Sequence, residues 1–249
     1  MEARLVWLPR VWAIALALLM LWPVLGGGYV LTYDMVWVPD LVLRPDFLGL
    51  GSGLPRAVPS DAVVSLLDEV VPGQLLQKVV LLGAVVAGGC GAAGLAGGRS
   101  LAARLVAVSV YVWSPFVAER AVIGHWPVLL AYAVLPFVIT AGRRAREEAR
   151  LPLRLLVLLP LGSLSAGAGI ACAVALLAFG LRRGAGRTNA VLVAAAVAAN
   201  APWLVSGVLH AADATSAALG ARVFALHDEG PVPGPLAALT GGGIWNAEV

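Results

Sequence analysis

The sequence predicts an all-α fold, a polytopic membrane helix bundle of about seven hydrophobic segments with a long first outer loop carrying an amphipathic helix. Three observations predict it. The 249 residues are 60% hydrophobic and only 12% charged, and mean hydropathy is +0.91. Soluble domains carry roughly 25% charged residues, so the solvent for this much apolar sequence is a bilayer. Apolar runs of near-spanning length recur, and the basic residues sit in short groups between them, as in membrane loops. That dispersal also excludes a nucleic-acid partner, despite a pI near 9.2.

The segments fall at 11–31, 76–97, 101–118, 126–142, 153–164, 166–181 and 188–209. The first could be misread as a signal peptide. It is long for one, lacks a small-x-small cleavage site and is followed by further apolar runs, so it reads as a retained span. The fifth and sixth are too short to cross alone, since a span needs about 20 residues. "LPLGSLSAGAG" (159–169) breaks them, and they read as a broken hairpin that enters the membrane and returns. Such backbone is tolerated where protein or a water-filled cavity covers it.

With the N-terminus in the cytoplasm, 12 of the 17 basic residues lie inside and 11 of the 14 acidic residues outside. Three outer pieces follow, at about 32–75, 119–125 and 210–249, within a single transmembrane domain of the plasma membrane. In the first, "SDAVVSLLDEVVPG" offers Ser60 as N-cap and Ala62, Val63, Leu66, Leu67 and Val70 as an apolar stripe, the pattern of a helix lying on the membrane surface. The ending "ALTGGGIWNAEV" reads as a cut end, so the chain is expected to be the front part of a longer protein.

Several residues are placed to carry chemistry. Asp34, in "GGGYVLTYDMVWVPD", lies three residues past the first span among interfacial aromatics. A carboxylate at an apolar boundary can act as a general base, or bind a divalent cation such as Mg or Mn. Asp40 is the natural second carboxylate, though "VPD" is also ordinary turn chemistry. Glu119, Arg120 and His125 fall in the short second outer loop, framed by Trp113 and Trp126. The plain alternative is a helix-end Glu–Arg pair and an interfacial His. Read functionally, Arg120 suits a phosphate and His125 a hydroxyl. Asn200, beside Pro202 in the last span, packs against a neighbouring helix or lines a substrate cavity. His210, Asp213, His227, Asp228 and Glu229 have no metal spacing, and "HDEG" reads as a solvated turn. Cys90 and Cys172 sit in Gly/Ala-rich runs without CxxC spacing and read as packing residues. "GGCGAAGLAGG" has Gly spacing suited to close helix packing. No P-loop, HExxH or GxSxG is present, and no series of charges runs through a span.

Together, "YVLTYDMVWVPD", the amphipathic segment, "SPFVAERAVIGHWPVLLAYAVLPF", "ANAPWL" and "GGGIWN" resemble polyprenyl-phosphate-sugar-dependent glycosyltransferases of the GT-C superfamily. The resemblance is to large multi-pass actinobacterial proteins with arabinofuranosyl- and mannosyltransferase-like members. The long motif is similar to the family stretch NPF-x-x-(D/E)R-x-x-x-G-x-W-x-x-L-x-x-Y-x-x-LP, with Ser114 where Asn is usual. The resemblance implies inverting transfer of a sugar from a polyprenyl-phosphate donor to a cell-envelope glycan or protein acceptor on the outer face. It assigns Asp34 as base or metal-associated carboxylate and Arg120 as the cation for the donor phosphate. Family members continue into further spans, and this chain stops after about seven segments. Two other expectations stand beside it: a transporter or flippase-like subunit, suggested by the broken pair, and a non-catalytic membrane scaffold.

Overall fold

A computed structural model describes residues 2–35, 37–55, 57–98, 100–213, 220, 225–226, 228 and 232–240. Arg56, Arg99, Arg222, His227, Glu229 and "GGGIWN" lie outside the described residues. Among the described residues the chain is helical, with an isolated bridge between Thr32 and Met35 and no strand. The helices are α1 (Glu2–Leu21), α2 (Ser60–Asp68), α3 (Gly73–Leu95), α4 (Leu101–Val112), α5 (Pro115–Ile123), α6 (Trp126–Glu148), α7 (Leu155–Gly162), α8 (Ala166–Gly180), α9 (Gly186–Leu209) and α10 (Gly234–Thr240).

Among the described residues five runs are long and apolar enough to cross a membrane: Trp7–Val24, Gly73–Leu95, Leu101–Ile123, Trp126–Glu148 and Gly186–Leu209. The fifth and sixth predicted segments become α7 and α8, of 8 and 15 residues. At 1.5 Å per residue these reach only about 12 and 22 Å, short of a core about 30 Å thick. The first helix ends ten residues earlier than the apolar run suggests. A 3-10 turn at Trp22–Val24 carries Pro23, and Gly26–Gly28 follows, so the chain leaves the helix although it stays apolar.

The third predicted segment is split. Pro115 disfavours helical backbone at the residue before it, and Ser114 is extended (φ −116°, ψ 151°). Its hydroxyl caps the new helix by accepting from Val117 N. Glu119 and Arg120, expected in a loop, therefore lie on α5, and only Gly124 and His125 separate α5 from α6. In the stretch 32–75 a helix forms as expected, but Ser60 is its first residue and Pro59 its N-cap. Ser60 Oγ instead donates to Ala57 O. The expected stripe is also divided: Ala62 is buried and Val63 half-buried, whereas Leu66, Leu67 and Val70 are exposed, and Val64 outside the stripe is buried.

α6 is central. It packs on α3 and α5 on one side and on α7 and α8 on the other. One apolar cluster joins α1, α3 and α4 to α6 through Ala13, Val85, Val108 and Leu129, and a second joins α6 to α7, α8 and α9 through Val138, Leu155, Leu176 and Leu192. The Gly-rich stretch of α3 permits the first. A Cβ at Gly89 would sit 2.8 Å from the Ala13 methyl, and one at Gly91 would sit 2.8 Å from Pro136 Cβ. Small residues allow such approach between membrane helices. Outward-facing Leu19, Val110 and Val208 stay exposed, as lipid-facing side chains do.

Candidate functional site at the α5–α6 turn

The chain after α1 is tied back onto α3 and α5 residue by residue. Gln74 Oε1 accepts from Gly28 N at 2.9 Å. Gln77, fully buried, accepts from Val30 N and donates to Val30 O, both at 2.8 Å. Thr32 and Met35 then exchange backbone hydrogen bonds, which makes Tyr33 and Asp34 the tip of a tight turn. Asp34 N donates to Ile123 O at 2.8 Å, so the tip rests on the end of α5.

That contact requires Gly124. It has φ +88°, and a Cβ there would collide with Thr32 Oγ1 and with Met35 Cβ and N. Gly124 also closes α5: its N–H and that of His125 both donate to Arg120 O, at 3.0 and 2.9 Å. His125 is thereby presented as the N-cap residue of α6, facing the Asp34 turn.

Three of the expected residues meet here. His125 Nε2 lies 2.5 Å from Asp34 Oδ2, and Arg120 Nη1 lies 3.0 Å from His125 Nδ1. Asp34 and His125 border a cavity of about 790 Å³. Its wall includes Trp37 and Trp126, packed edge to face at 5.4 Å, and the first-loop residues Asp46, Phe47, Ser52, Ser60 and Asp61. Ser165, at the joint of α7 and α8, reaches the same cavity. The broken pair therefore brings its tip to the site.

The other expected residues are not brought there. Asp40 is exposed with φ +54° and lies off the cavity wall. Glu119 is buried within α5 and off the wall. Arg120 stands behind His125, with its guanidinium over the Phe116 ring at 5.3 Å. Asn200 is buried inside the helical bundle: it donates to Ala196 O at 2.8 Å and accepts from Trp203 Nε1 at 2.9 Å. Gly169 of α8 packs directly against it, so Asn200 serves helix packing. Among the described residues no group of three His, Cys, Asp or Glu side chains is placed to hold a metal ion. Asp34 Oδ2 faces His125 Nε2, so a divalent cation at Asp34 would have to bind through Oδ1.

Asp46, Asp61 and Ser165 are cavity residues that sequence reasoning missed, because only the path of the first loop and the packing of the α7–α8 joint bring them together. His210 is another residue with a structural task. Its Nδ1 lies 2.9 Å from Ser206 O and its Nε2 2.9 Å from Gly51 O. Carbonyls only accept, so both ring nitrogens must carry protons for both bonds to form. The Gly51 and Ser206 carbonyls accordingly raise the His210 pKa, aided by Asp213. His210 thus fastens the loop segment beside Ser52 to the end of α9.

Compared with protein families, curated proteins and solved structures, the chain matches none of them.

Proposed function

We propose that this membrane chain transfers a sugar from a polyprenyl-phosphate donor to a cell-envelope glycan or protein acceptor at the outer face of the plasma membrane, with Asp34 as the general base. The observation that supports it most is the meeting of Asp34 and His125 on the wall of a cavity lined by Trp37 and Trp126, with Arg120 behind His125. Asp34 is 91 residues from His125 in the chain, and the three residues come from two of the stretches that resemble GT-C enzymes.

The charge distribution puts the N-terminus inside and the cavity outside. Five crossings, with α7 and α8 entering from the cytoplasmic side and returning, satisfy that arrangement. A polyprenyl donor keeps its tail in lipid and its phosphate at the interface, where a cavity at the bundle's outer end meets both it and an aqueous acceptor. In the transfer, Asp34 takes the proton of the acceptor hydroxyl as its oxygen bonds to the anomeric carbon. The bond from that carbon to the phosphate oxygen breaks, and polyprenyl phosphate leaves with the electron pair. Inversion follows from a single displacement. General-base assistance contributes about 10²–10⁴ in rate.

The aromatic wall and the hydroxyl-accepting carboxylates suit a sugar ring. A transport reading calls for a polar cavity near mid-membrane. The described pocket among the spanning helices, at Val85, Tyr111 and Leu129, is small and almost wholly apolar.

Membranes carrying the protein, supplied with a panel of polyprenyl-phosphate sugars, test the reading. The wild type transfers one of them, and Asp34→Asn lowers transfer at least 100-fold, the lower end of general-base assistance. Equal transfer by both would remove Asp34 from the chemistry.

A further inference from the structure

Arg120 carries the strongest remaining inference. A guanidinium holds five N–H donors and no acceptor, and it stays protonated. Its Nη1 lies 3.0 Å from His125 Nδ1. For that contact to be a hydrogen bond, Nδ1 must offer its lone pair. The ring proton of a neutral imidazole then sits on Nε2, which lies 2.5 Å from Asp34 Oδ2. A doubly protonated ring would set an N–H against an N–H and a cation against a cation. The hydrogen bonds therefore run one way, from Arg120 to His125 to Asp34.

We infer that Arg120 is a positioning residue: it fixes His125 in the Nε2–H tautomer, and His125 in turn holds one oxygen of Asp34 by donating to it. The inference rests on Asp34 being the reacting carboxylate of the proposed transfer. It replaces the phosphate role that the family resemblance implies for Arg120. The surroundings agree. Arg120 is off the cavity wall, its guanidinium is fixed over Phe116, and its carbonyl closes the turn that presents His125. With Nδ1 occupied and Nε2 donating, His125 has no free lone pair to act as base. Proton acceptance falls to Asp34.

The chain contains three histidines, so ¹⁵N-histidine NMR of the protein in nanodiscs can resolve His125, assigned with His125→Gln. The expected result is a bare Nδ1 and a protonated Nε2 in the wild type. Arg120→Leu should give a tautomer mixture, and Arg120→Lys, which still only donates, should restore the single form. In the transfer assay Arg120→Leu should lower kcat roughly 10- to 100-fold, as when the partner orienting a functional histidine is lost. KM for the donor should hold. A wild-type ring protonated on Nδ1, or an unchanged tautomer in Arg120→Leu, overturns the inference. So does a loss carried by donor KM, which would make Arg120 a phosphate ligand. The expected NMR pattern in a protein that transfers no sugar would support the relay and overturn the transfer reading instead.

Discussion

Asp34 gains its setting from backbone more than from its neighbours in sequence. Its amide is pinned to Ile123 O, its carboxylate to His125, and the close approach exists because position 124 has no side chain. Gly124→Ala combines a disfavoured φ with a collision against Met35 and Thr32. It should destabilise the protein by about 1–3 kcal/mol, read as a lower thermal midpoint in detergent. A midpoint equal to wild type would mean the turn does not hold Asp34. At this scale the sequence was legible for Asp34, Arg120 and His125, because "YDM" and "ERAVIGH" each join polar groups to an interfacial setting. It was not legible for Asp46 or Asp61, whose flanking residues resemble any loop, nor for Asn200, whose partners Ala196 and Trp203 lie on its own helix. Polarity inside a span marks a residue that needs a partner without saying whether that partner is a ligand or the helix itself.

Elements decide where those residues stand. Pro115 and Gly124 cut an apolar run into α4, α5 and α6, whereas the 101–118 segment read from hydropathy runs through Pro115. What hydropathy could not convey is that α5 remains helical through Glu119 and Arg120, since it averages over the break. The early end of α1 has the same origin: Gly26–Gly28 is apolar by composition and non-helical by backbone entropy. The His210 latch is an element-scale device, joining the Gly49–Gly51 turn to the last residues of α9. Its ring faces the Gly51 and Ser206 carbonyls and the Asp213 charge, and Asp46, paired with Arg44, lies against Gly51. The folded-state pKa of His210 is raised above its ordinary value of 6.5. The stabilisation is therefore fully present below that value and lost as pH rises through the raised one. Hydrogen exchange at residues 49–54, corrected for the intrinsic rate, should show protection falling over that window. In His210→Gln the step should be gone. A step that persists in the variant would place the titrating group elsewhere.

At the scale of the whole molecule the fold class was legible, because 60% apolar sequence in long runs has few solutions. The shortness of the fifth and sixth segments was legible too, from their length and the Pro, Gly and Ser between them; they form α7 and α8, and five runs among the described residues are long and apolar enough to cross. The proposed topology makes a direct demand. In a Cys90→Ala, Cys172→Ala background, Val42→Cys on the first loop should react with an impermeant maleimide on intact cells. Arg183→Cys, between α8 and α9, should react only after permeabilisation. The opposite pattern would turn the cavity toward the cytoplasm and away from an outer-face acceptor.

The central claim is that one carboxylate of this cavity, Asp34, performs the proton transfer. Three aspartates line it: Asp34, Asp46 and Asp61. The decisive measurement is single-turnover transfer from a radiolabelled polyprenyl-phosphate sugar by the protein in nanodiscs, comparing the three Asp→Asn variants at matched folding. Transfer should fall at least 100-fold for Asp34→Asn, as expected for loss of a general base, and stay within about tenfold for the other two. Wild-type transfer by Asp34→Asn, or a greater loss at Asp46 or Asp61, would contradict it.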